Sequence, residues 1–156
     1  MNIEFRPSVL LLTLPLILTF TTPLHAAAPA DQLPDAQALM QLEQRAEQAK
    51  PREQCFLYTE LVHTMTEIAG KQMLDGDIDN ASATLKKVAF YAQLIHLNLA
   101  NDTKRLKNAE MLMHRTTHRL GEYLHLASGD DRVTLQATLK QLDQVQDELL
   151  TQVFKH

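Results

Sequence analysis

All six prolines, at positions 7, 15, 23, 29, 34 and 51, precede residue 52, and the 105 residues from Arg52 to His156 contain none. Proline lacks a backbone N–H and clashes with the preceding turn, so it ends or kinks helices. A proline-free stretch of this length permits long helices. No segment in it alternates apolar and polar residues over the length of a strand. The chain is read as all-α.

Hydrophobic period sharpens this expectation. Leu85, Val88, Ala92, Ile95, Leu99, Asp102, Leu106, Ala109, Met113, Thr116, Leu120, Tyr123 and Ala127 recur at alternating spacings of three and four. That is a heptad seam without a change of phase. It predicts one continuous central helix over about 79–127, on the order of 70 Å long at 1.5 Å per residue. The alternative is two helices meeting at Asn101-Asp102-Thr103, a sequence able to cap. Partner helices are predicted at 52–74, with Cys55, Tyr58, Leu61, Val62, Met65, Ile68 and Ala69 inward, and at 132–154, with Leu135, Leu139, Leu142, Val145, Leu149 and Val153 inward. A further segment, Asp35–Lys50, carries Leu39, Leu42, Ala46 and Ala49; Pro51 then either opens the next helix or kinks a longer one. The whole is an elongated antiparallel helical bundle, coiled-coil-like along its seam.

Two polar turns set the pairing. Asp75–Asn80 reads D-G-D-I-D-N and Ser128–Asp131 reads S-G-D-D. Counting outward from them places Cys55 near Leu99, Arg52 near Asp102, Leu120 near Leu139 and Thr116 near Asp143. Arg52 with Asp102 would form a polar layer in the seam. The window Met65–Val88 also resembles one tetratricopeptide unit, at Ile68-Ala69, Gly76, Ile78, Ala81 and Leu85. There is no second copy, and solenoids need about three repeats, so a helical hairpin turn accounts for the match.

The first 30 residues read as a secretory signal peptide. Arg6 supplies the charge, Val9–Phe20 a 12-residue apolar run, and Ala26, Ala27, Ala28 and Ala30 the small residues before cleavage, expected between 26 and 30. A membrane span needs about 20 apolar residues, so no transmembrane helix is expected in the mature chain. Residues 31–156 are expected to form a single helical domain, extracytoplasmic, either periplasmic or secreted.

Composition excludes several functions. The formal charge is −4, which gives no basic signature of a nucleic-acid binder. One cysteine rules out an internal disulfide and a four-cysteine zinc site, and four glycines leave no room for a phosphate-cradling loop. No nucleophile motif or paired carboxylates point to an enzyme, and none is expected. Cys55, among apolar neighbours, is read as a buried thiol. His63 and His96 are read as packed, hydrogen-bonded histidines near Tyr58, Phe90 and Tyr91.

Histidine is the only enriched reactive type. His114, His118 and His125 share the outer face of the 79–127 segment, with Met111 one turn before them. Imidazoles at i, i+4 chelate Zn or Cu, and a thioether favours Cu(I). Glu110 and Glu122 stand four residues from His114 and His118, placed to orient their rings. Met111, His114, His118 and His125 are thus the candidate metal ligands, although a solvated helix face is the more frequent meaning of such a stripe. Lys104, Lys107, Arg115 and Arg119 share that face and are read as solvated charges. The expected function is an exported, non-enzymatic helical protein acting through protein–protein contacts, as a homo-oligomer such as a dimer or with another protein, because one chain would cover a long seam incompletely. The alternative is an extracytoplasmic Cu- or Zn-binding bundle.

Overall fold

The computed structural model describes residues 35–100 and 103–155. Five helices follow one another: α1 Ala36–Gln48, α2 Pro51–Leu74, α3 Ile78–Asn98, α4 Leu106–Leu126 and α5 Gly129–Lys155. No strand occurs among the described residues. The signal segment and Asp102 lie outside them, so the expected cleavage and the Arg52–Asp102 layer are not part of this description.

The all-α bundle is as expected, but its central helix is not. The predicted continuous helix over 79–127 is two helices, α3 and α4, separated by the seven residues 99–105. Several local forces end α3. Asn98 turns its side-chain amide back to the Leu94 carbonyl at 2.8 Å, and its own carbonyl accepts from the Thr103 hydroxyl at 3.2 Å. Such side-chain bonds compete with the helical ladder. Arg105 then adopts a left-handed conformation, with φ of 58°, and its guanidinium lies 3.5 Å over the Phe56 ring. The Lys104 N–H donates to the Arg52 carbonyl at 2.8 Å. The connection is thereby fastened to the first turn of α2.

A seven-residue interruption leaves a seven-residue period in phase, which is why the seam looks unbroken. Its described members still point inward. Leu85, Val88, Ala92, Ile95, Ala109, Met113, Thr116, Leu120 and Tyr123 are buried, and Leu99, Leu106 and Ala127 are half-buried. Most of the described seam is therefore covered within one chain, while its members at the helix ends stay half-buried.

The helices pack in a square. Helices α2 and α3 form one antiparallel hairpin and α4 and α5 a second; α2 lies against α4 and α3 against α5, and the diagonal pairs do not pack. Cross-helix bonds fix the register. His63 meets Thr116, Glu67 meets Arg119, Gln141 meets the Ala89 carbonyl and Glu148 meets His96. In these four pairs the partner numbers differ by 52 or 53, so the like helices of the two hairpins run parallel. This antiparallel-within, parallel-between arrangement is a four-helix bundle.

The helix at the centre of the fold is α2. It packs on α1, α3 and α4, and buries Phe56, Thr59, Thr66 and Gly70 in addition to the predicted face from Cys55 to Ala69, of which Ile68 alone is half-buried. Pro51 opens α2 within its first turn, where its missing N–H costs no bond, so α1 is a separate helix. It is capped by Asp35, whose carboxylate accepts from the Ala38 N–H at 2.7 Å. The turn after α2 uses Gly76 at φ 78°, and α5 opens on Gly129 at φ 59°, both left-handed values that suit glycine.

Candidate functional site

Because the like helices run parallel with an offset of about one hairpin, the two turns arrive at the same end of the bundle. There Met73 and Leu74 end α2, Ile78 opens α3, and Leu126 ends α4. Together with Tyr123 and Ala127 they line a pocket of ≈ 250 Å³. Leu74 is 65% exposed and Leu126 69%. A leucine side chain gains about 1.5–3 kcal/mol on full burial, and these two forgo most of that in the isolated chain. Val133, near the start of α5, is exposed as well. Leu126 was visible in the sequence as an apolar residue one position out of phase with the seam, next to Ala127. Leu74 carries a similar signal, since the inward face of α2 stops at Ala69.

Below this end, a polar network joins α2 to α4. The Glu67 carboxylate accepts from the Tyr123 hydroxyl at 3.0 Å and from Arg119 Nε at 3.2 Å. Arg119 also donates to Glu122 at 2.7 Å and lies 5.2 Å from the Tyr123 ring centroid. The Arg119 hydrogen bond holds the Glu122 carboxyl below its ordinary range. Burial, reinforced by the neighbouring Glu67, pushes the Tyr123 phenol up to about 12. One turn earlier, His63 Nδ1 meets the Thr116 hydroxyl at 3.0 Å. Desolvation lowers the His63 pKa, with Arg115 lowering it further and Glu67 opposing. The predicted partner of Thr116, Asp143, is exposed instead; the hydroxyl is satisfied by His63 and by the Leu112 carbonyl. Every charge in this network already has a protein partner, so it reads as a fastening between helices.

The candidate metal ligands are placed apart in their bonding. Gln146 Nε2 donates to His114 Nδ1 at 2.9 Å while its carbonyl oxygen accepts from Thr117 at 2.7 Å, which ties His114 to α5. His118 Nδ1 lies 3.7 Å from Glu122. Met111 and His125 are exposed. Among the described residues, no group of three or more His, Cys, Asp or Glu is gathered closely enough to hold a metal ion.

Cys55 is fully buried, and desolvation pushes its thiol up to about 12. It is a packing residue. His63 is half-buried and hydrogen-bonded as expected, though to Thr116 rather than among aromatic rings; His96 is exposed and bonds Glu148 at 2.6 Å. No described helix is long and apolar enough to cross a membrane. Compared with protein-family models, with curated proteins and with solved structures, the chain matches none.

Proposed function

We propose that this chain is exported and works, without catalysing a reaction, through contacts with protein made by the end of the bundle where its two turns meet. The observation that carries this reading is the exposure of Leu74 and Leu126 on either side of a pocket, beside Ile78. Met40, Phe90, Leu97 and Phe154 are also exposed, but none of them lines this pocket, and apolar side chains gathered around one concavity mark a docking surface where singly scattered ones do not. The polar groups of the bundle support the non-catalytic half. Glu67, Arg119, Tyr123, His63 and Thr116 are engaged with one another, and the one thiol is buried. Export rests on Arg6, the apolar run Val9–Phe20 and the alanines that follow.

A photoreactive amino acid at position 126, with a control at exposed Lys86 on α3, tests the contact in cells producing the full chain. The expected result is a discrete cross-linked protein band at 126, absent at 86 and lost on Leu74→Glu. If the band proves to be a second copy of the chain, the contact is a homo-oligomer. Absence of any adduct at 126 would overturn the reading. The mass of the product recovered outside the cytoplasm tests export, and full-length chain confined to the cytoplasm would refute it.

A further inference from the structure

At the opposite end of α2 lies a second concavity. It is formed by the last turn of α1, the first turns of α2 and the end of the connection between α3 and α4, and has a volume of ≈ 440 Å³. Its floor is apolar, made by Phe56, Leu57 and Ala49; its rim carries Arg45, Lys104 and Arg105. One carboxylate, Glu53, also lines it, and Lys104 Nζ stands 3.5 Å from that carboxylate. Among the described lining residues, three cations therefore face one anion, on a chain whose formal charge is −4. Arg45 is only loosely engaged, 3.9 Å from Glu60 and well exposed. The Arg105 guanidinium carbon lies 3.5 Å over the centroid of the Phe56 ring. A planar guanidinium on an aromatic face still presents its N–H edge to an incoming anion.

We infer that this cleft binds a small amphiphilic anion, its apolar body against Leu57 and Ala49 and its carboxylate, sulfonate or phosphate between Arg45 and the Arg105 guanidinium that Phe56 supports. Volume supports this, since ligand pockets begin at about 300 Å³. So does chemistry: a concave apolar floor with a few convergent charged groups is the usual make-up of a small-molecule site, and arginine is suited to oxyanions because its donors form a rigid fork. Inorganic anions would gain only the rim contacts, and a neutral apolar body only the floor. The site needs both. It is independent of the docking end, which lies at the other extreme of α2, so either assignment can fail without the other.

The test uses the intact mature chain and the fluorescent probe 8-anilinonaphthalene-1-sulfonate, which meets no tryptophan background here because the chain has none. The expected result is saturable one-to-one binding, with amide shifts in NMR spectra centred on Ala49, Leu57 and Lys104. The charge reversal Arg45→Glu should weaken binding by about tenfold or more, the worth of one charge-assisted contact. Arg45→Lys should retain most of it, and Glu53→Gln should strengthen it. Leu74→Glu with Leu126→Glu, at the far end, should leave it unchanged. The neutral analogue N-phenyl-1-naphthylamine should bind at least about tenfold more weakly than the sulfonate. No saturable binding, shifts centred on Leu74 and Leu126, equal affinity for the neutral analogue, or indifference to Arg45→Glu in a variant with an unaltered circular dichroism spectrum would each overturn the assignment.

Discussion

Tyr123 rests directly on Gly70, and a Cβ at that glycine would come within 2.0 Å of the tyrosine ring. Gly70 thus carries a close approach of α2 to α4 rather than a turn. Gly70→Ala should destabilise the chain by about 1–3 kcal/mol, the usual cost of overpacking, and Tyr123→Phe by about 1 kcal/mol through loss of the bond to Glu67; urea unfolding measures both. The opposite sign is expected at Thr66. Its hydroxyl is buried and has no hydrogen-bond partner among the described residues, an arrangement that costs about 1–3 kcal/mol. Thr66→Val, similar in shape and without the hydroxyl, should therefore raise stability. At this scale the sequence was informative where burial is decided by residue type. Cys55 was legible as a buried thiol, and the predicted inward residues of α2 and α5 are buried or half-buried. Glu67, Arg119 and Tyr123 were not legible as a unit, because nothing in a linear pattern says that α2 will meet α4 in parallel.

Element by element, the boundaries of α1, α2 and α5 follow from Pro51, Gly76 and Gly129, all readable punctuation. The error lay between α3 and α4, where a connection of seven residues mimics one heptad. Phase alone cannot detect an insertion equal to its own period. The signal that was present was chemical: Asn98, Asn101, Asp102 and Thr103 all favour local side-chain bonding over helix. Arg105 offers a test of what holds the break. Its left-handed backbone costs about 1–2 kcal/mol for a non-glycine residue, while stacking on Phe56 returns about 0.5–2 kcal/mol. Arg105→Gly relieves the first and forfeits the second, so it should be close to neutral. Arg105→Ala keeps the strain and loses the stacking, and should be less stable than the glycine variant by about 1 kcal/mol. Equal thermal unfolding of the two variants would show that residue 105 is not held left-handed.

For the whole molecule, the square arrangement turns one predicted long rod into two stacked hairpins and brings both turns to one end. It also determines how stability responds to pH. His63 has a lowered pKa in the fold, chiefly through desolvation. The unfolded chain therefore binds its proton first as pH falls below about 6.5, and stability is lost in that direction. His63→Gln should flatten the acid limb of a stability–pH curve. On the alkaline side the groups have raised values: Cys55 moves from 9.0 to about 12, and Tyr91 and Tyr123 from 10.0 to about 12, burial being the largest cause for each. Below pH 9 both states keep these protons. Above it the unfolded chain releases them first, so stability should fall steadily from pH 9 towards 12, and Cys55→Ala should remove part of that slope. A bundle whose alkaline limb is flat over that window would not have these groups buried as described.

The arrangement of α3 and α4 is the point on which the fold, the shared end and the proposed docking surface all depend. Ile78 and Leu126 line the same small pocket, although a continuous helix would hold them about 70 Å apart at 1.5 Å per residue. Both are exposed enough to carry spin labels, and Cys55 can be replaced by alanine to leave two reporting thiols. Pulsed electron–electron double resonance between labels at 78 and 126 should give a single short distance, below about 20 Å, consistent with side chains sharing one pocket rather than the helical rise over that span. A distribution centred near 70 Å would contradict the account and restore the single long helix.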